Sequence, residues 1–113
     1  MKLSEHQKRF ARHIADLIYH IDATGHSCTF GDAFRDPRVH GAIGEKLSYS
    51  SRNSNHKRRL AVDLNLFKGD AYLSGTDHHQ QFGDFWEALD PLNRWGGRYN
   101  DGNHYERIPE GWR

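Results

Sequence analysis

A single cysteine, Cys28, means that the chain can form no internal disulfide and no cysteine-based structural zinc site. No stretch approaches the about 20 consecutive apolar residues that a membrane-spanning helix needs. Net charge is nearly absent too, at +1, so no global field calls for a nucleic acid or a membrane as partner. The first residues, with Lys2, Ser4, Glu5, Lys8 and Arg9, lack the apolar core of a secretory signal. The expectation is therefore synthesis in a cytoplasm, and any target outside it has to be reached by another route. What the chain has in excess is histidine, nine in 113 residues, which raises the prospect of metal chemistry. The length suits one domain over residues 1–113 with a real core. No repeat, low-complexity tract or linker divides it.

Ser4 to Asp22 reads as an amphipathic helix. Ser4 and Gln7 have capping-box spacing, and Phe10, Ile14, Leu17, Ile18 and Ile21 form an apolar stripe before Gly25 stops the helix. His6, His13 and His20 share a face, two turns apart, too far for chelation, and read as solvated. Cys28 to Phe34 reads as a strand interrupted by Gly31. Arg35-Asp36-Pro37 ends it, which leaves Arg35 either at the lip of the strand or as a surface arginine in a turn. Residues 38–54, with Gly41, Gly44 and a Ser/Asn-rich tract from Ser48, suggest a long loop, of the kind that is functional or disordered.

Ser54 to Asp63 is the stretch around which the chain is organised. A basic loop carries His56 and Lys57-Arg58-Arg59, and an apolar run follows with Asp63 inside it. Alternation over Ala61 to Phe67 puts Val62, Leu64 and Leu66 on a core face, and Ala61, Asp63, Asn65 and Phe67 on the other. A carboxylate in an apolar run is costly unless something pairs it, and a metal ion is one such partner. Lys68-Gly69-Asp70 reads as a turn into a short arm with Tyr72. Asp70 and Asp77 offer oxygens to a regulatory Ca²⁺, without EF-hand spacing. His78 and His79 are adjacent, point apart and read as exposed. Gln80 to Leu89 reads as a short helix with Phe82, Phe85, Trp86 and Leu89 on one face, ended by Pro91. Trp95-Gly96-Gly97-Arg98-Tyr99 is a tight turn. His104 to Ile108 is a last strand, with His104, Glu106 and Ile108 on one face, and Pro109 to Arg113 is a tail.

A catalytic zinc takes three protein ligands and keeps one position open for water. His56, Asp63 and His104 fit that count, and Asp101, three residues before His104, can share the site as the base for that water. Each spacing alone is common by chance.

Taken together, Ser54-x-His56-x6-Asp63, Trp95-Gly96-Gly97-Arg98 and Asp101-x-x-His104-Tyr105-Glu106 resemble the M15 family of zinc peptidases, which cut peptidoglycan stem peptides. The likeness runs from about Phe30 to Glu106 and is greatest to the small bacteriophage endolysin branch. It implies an α+β fold, a small antiparallel sheet flanked by helices, of the Hedgehog/DD-peptidase-like zinc type. It further implies one Zn²⁺ on His56, Asp63 and His104, with Asp101 as general base. Arg35 would hold the scissile carbonyl oxygen or a substrate carboxylate, and Ser54 would help to orient substrate. Many members have Gly where this chain has Arg59, and Phe where it has Tyr105. The D-Ala-D-Ala dipeptidases use Glu as base, so Asp101 points to the L-alanyl-D-glutamate endopeptidases.

The resulting expectation is a monomeric zinc endopeptidase that cuts the L-Ala–D-Glu bond of peptidoglycan. It binds no nucleic acid, inserts in no membrane, and acts as an endolysin that reaches the wall after a holin opens the membrane. A D-Ala-D-Ala carboxypeptidase, a non-catalytic wall-binding module on the same fold, and a metal-dependent nuclease using Lys57-Arg58-Arg59 are the competing readings.

Overall fold

The computed structural model describes residues 1–31 and 58–111. The sequence-predicted end of the first strand, the loop over 38–54, and Arg35, Ser54, His56 and Lys57 lie outside the described residues. Within them the elements run α1 (Leu3–Ala23), β1 (Ser27–Phe30), β2 (Ala61–Lys68), β3 (Ala71–Leu73), α2 (Gln80–Leu89), β4 (Asn93–Trp95) and β5 (His104–Arg107), with 3-10 turns at Thr76–His79 and Gly96–Tyr99. The fold is α+β, as the sequence implies: two helices and an antiparallel five-stranded sheet among the described residues.

β2 is the centre of the sheet because it alternates. Val62, Leu64 and Leu66 are buried, while Asp63, Asn65 and Phe67 are only half-buried. β1 pairs along one side of β2, with Thr29 opposite Asn65. β5 and β3 pair in turn along the other side, with Val62 opposite Tyr105 and Phe67 opposite Tyr72. β4 continues the sheet beyond β5. The sequence reading missed β4, since three residues between a helix and a glycine pair leave no room for a visible period.

Both helices cover the aliphatic face of the sheet. Phe10, Ile14, Leu17 and Ile21 of α1 join Phe82 and Trp86 of α2, and Leu64, Leu66, Trp95 and Tyr105 of the sheet, in one core. The Trp86 indole N–H donates to the carbonyls of Arg94 (3.2 Å) and Glu106 (3.0 Å), which fastens α2 across β4 and β5. The opposite face of the sheet is the one that carries Asp63.

Three local expectations are corrected. Helix α1 starts at Leu3, so Ser4 is already helical and caps nothing; Gln7 Nε2 donates instead to the Arg58 carbonyl at 2.8 Å. The face with His6, His13 and His20 is not solvated, because it packs against α2 and β5. His6 is buried and accepts a hydrogen bond from Arg107 Nε at 3.0 Å. His13 stands edge-on to Trp86, and His20 stacks on Phe85 with centroids 4.0 Å apart. His79 is only 3% exposed and hydrogen-bonds through Nδ1 to the Tyr105 hydroxyl at 2.8 Å. Burial first, and then the charge of His78, pushes its pKa down to about 4, so the ring is neutral at pH 7.

Candidate active site

Register on β2 and β5 sets Asp63 directly opposite His104. Paired residues on antiparallel strands project to the same side, and here that side is the one opposite α1 and α2. Asp63 Oδ1 lies 3.2 Å from His104 Nδ1, with the two side chains 18% and 17% exposed. Glu106, two residues along β5, shares the face, and its Oε2 lies 2.5 Å from the other ring nitrogen, His104 Nε2. His104 thus stands between two carboxylates. Burial alone lowers its pKa, but the hydrogen bonds and charges of Asp63 and Glu106 more than reverse this and raise it to about 9.

Asp101 is exposed and lies one turn before His104. The His104 N–H donates to the Asp101 carbonyl at 3.1 Å, and the Asp101 N–H donates to the Gly96 carbonyl at 3.0 Å. The turn is also held to β2, where the Leu64 N–H donates to the Asn103 carbonyl at 2.9 Å.

The bulky turn that the sequence flagged at residues 95–99 serves as the mount for this segment. Trp95 Nε1 donates to the Gly102 carbonyl at 2.6 Å. Its indole lies in a slot between two glycines. A Cβ at Gly83 would come within 2.1 Å of Trp95 Cδ2, and one at Gly97 within 2.2 Å of Trp95 Cη2. A Cβ at Gly96 would lie 2.4 Å from the Asp101 carbonyl oxygen and 2.9 Å from His104 Cβ. Gly96 is therefore the residue that lets the 3-10 turn approach the Asp101–His104 segment. Glu87 of α2 accepts from the Trp95 N–H (3.1 Å) and from Arg98 Nη2 (3.0 Å), which closes the turn against the helix.

A sequence model for peptidase family M15, described as D-alanyl-D-alanine carboxypeptidase, matches residues 48–107, more than half of the chain. The chain belongs to the M15 peptidase family. No curated protein matches it. The matched M15 stretch contains Ser54, His56, Asp63, Asp101 and His104; Arg35 lies before it.

M15 peptidases are generally zinc-dependent, and the described part of the site can be tested for that ion. Carboxylate oxygen and imidazole nitrogen are donors that zinc takes, and two such ligands on one tetrahedral ion stand about 3.3 Å apart. The Asp63–His104 separation of 3.2 Å fits. His56, the third expected donor, lies outside the described residues. Among the described residues no group of three His, Cys, Asp or Glu side chains gathers for a metal. Asp70 and Asp77 are both exposed and have no such group around them, so the Ca²⁺ reading gains no support.

Sequence reasoning assigned no role to Glu106 or to Trp95. A signal for Glu106 was present, since residues i and i+2 of a strand share a face with His104. Trp95 was marked only as part of a tight turn and a motif; its slot is built from α2 and the 3-10 turn together, which no local pattern shows.

Proposed function

We propose that the chain is a zinc-dependent endopeptidase that hydrolyses the stem peptide of bacterial peptidoglycan between L-Ala and D-Glu, acting as a phage-type endolysin. The observation that carries this is the Asp63–His104 pair, held at ligand spacing on the face of the sheet opposite α1 and α2, in a chain that belongs to M15. In this reading Asp63, His104 and His56 hold one Zn²⁺. When bound, the ion polarises the scissile carbonyl and brings the pKa of water to about 7.

Asp101 takes the proton from the attacking water and returns it to the leaving amine. Its exposure leaves it accessible to substrate, and its backbone tie to His104 keeps it beside the metal-binding strand. Arg35 offsets the negative charge that develops on the carbonyl oxygen, and Ser54 orients the substrate. The partner is the wall peptide, met by a monomer without nucleic acid or membrane insertion. The enzyme is made in the host cytoplasm and released to the wall by a holin. Among the described residues no helix is long and apolar enough to cross a membrane.

The family description favours one second reading, a D-alanyl-D-alanine carboxypeptidase. Mass spectrometry of peptidoglycan digested with the zinc-loaded protein, beside a chelated control, separates the two. New D-Glu amine termini that vanish with chelator support the endopeptidase. Release of terminal D-Ala replaces it with the carboxypeptidase, and wall binding without any product points to a non-catalytic module.

A further inference from the structure

We propose that Glu106 is the positioning residue for His104: it holds the Nε2–H of the ring and so presents Nδ1 to Asp63 and to zinc. The inference rests on the reading of Asp63 and His104 as zinc ligands.

An imidazole has two chemically similar nitrogens, and a metal can take either. Which one it takes is set by the hydrogen bond at the other. Here the two are differentiated by place. Nδ1 faces Asp63 Oδ1 at 3.2 Å across the β2–β5 pair, while Nε2 lies 2.5 Å from Glu106 Oε2 on its own strand. A carboxylate accepts only, so in the metal-free ring each nitrogen directs a hydrogen at its carboxylate. A metal ligand must offer a lone pair, so zinc binding would remove one of these hydrogens. Asp63 is itself a proposed ligand and would turn its oxygen to the ion, which frees Nδ1, while the shorter contact with Glu106 keeps the hydrogen on Nε2.

The backbone holds Glu106 in place. Its Cα is in register with Ala61 on one side and with Arg94 on the other. Its carbonyl accepts from the Trp86 indole at 3.0 Å, and the next residue, Arg107, donates its N–H to the Leu60 carbonyl at 2.8 Å. The Glu106 side chain is only 16% exposed. It is thus a mostly buried carboxylate that bonds the proposed ligand, a carboxylate–histidine–metal arrangement built within one strand.

The test uses the full chain with Glu106→Ala and Glu106→Gln, and with Asp63→Ala as reference. Zn²⁺ affinity is measured by competition with a chromophoric chelator, and the His104 ring is followed by ¹H–¹⁵N NMR in the zinc-loaded protein. Glu106→Ala is expected to weaken Zn²⁺ binding about 10- to 100-fold and to lose the slowly exchanging Nε2–H signal. Glu106→Gln keeps an acceptor oxygen and should recover most of both. Glu106→Ala with wild-type affinity and an unchanged ring signal overturns the proposal. Equal loss in both Glu106 variants also overturns it, since Glu106 would then be a ligand itself. If Asp63→Ala loses Zn²⁺ while Glu106→Ala keeps it, only the positioning role fails. If wild type binds no Zn²⁺, or Asp63→Ala binds it normally, the ligand assignment fails, and this proposal with it.

Discussion

Trp95 and Gly102 are joined by a hydrogen bond of 2.6 Å from the indole Nε1 to the backbone carbonyl, inside the protein. That bond ties the end of β4 to the turn that carries Asp101 and leads into His104. The surrounding glycines leave the indole a slot with no spare volume. The site segment is therefore supported by packing from α2 and the 3-10 turn, and by little of its own.

Loss of this support has a measurable cost. Trp95→Phe leaves the buried Gly102 carbonyl without its donor and should destabilise by about 1–3 kcal/mol. Gly83→Ala drives a methyl into the indole. Despite the better helix propensity of alanine, it should cost about 2 kcal/mol net. Urea unfolding of both variants checks this, and a Gly83→Ala protein as stable as wild type would contradict the slot.

Arg59 has φ +58°, the left-handed backbone region. A side chain there costs about 1–2 kcal/mol, part of which glycine returns through its greater unfolded-state freedom, about 0.5–1 kcal/mol. Arg59→Gly should be neutral or stabilising by up to about 1 kcal/mol. The β-branched Arg59→Val should destabilise by a similar amount. Thermal melts of the two variants should move in opposite directions or, for glycine, not at all.

His79 makes stability depend on pH. Its folded pKa, about 4, lies below the unfolded value of 6.5, so between those values the unfolded chain binds the extra proton. The contribution is complete above about pH 6.5, is lost as pH falls towards 4, and is worth about 3 kcal/mol over the whole window. Unfolding free energies of wild type and His79→Gln, measured from pH 7 to pH 4, should converge as the pH drops. Parallel curves would exclude His79 as the source.

Metal binding and turnover should separate by residue. Asp63→Ala should lose bound zinc and activity together. Asp101→Ala should keep zinc while kcat falls about 100- to 10,000-fold, the range of general acid–base catalysis. Zinc content by atomic absorption, beside hydrolysis of purified stem peptide, checks both. Full turnover by Asp101→Ala would remove Asp101 from the role of base.

Much of the architecture was legible in the chain itself. The Phe10–Ile21 stripe marked α1, and the Phe82–Leu89 face marked α2. Strict alternation in β2 put Asp63 on the face away from Val62, Leu64 and Leu66. These are local signals: each residue's period is set by its own backbone geometry, and burial follows the apolar side. The motif residues also pointed to the family that the sequence model matches.

Tertiary structure alone decided which residues meet. Asp63 and His104 are 41 residues apart, and only the β2–β5 register makes them neighbours. The same long-range packing buried His6 against Arg107 and His79 against Tyr105, although a count of polar residues puts both outside. It also placed Glu106 on the ring of His104, and Trp95 between Gly83 and Gly97. Periodicity tells a side chain which face to take. The partner on that face is chosen by strand pairing and helix docking, which no local window contains.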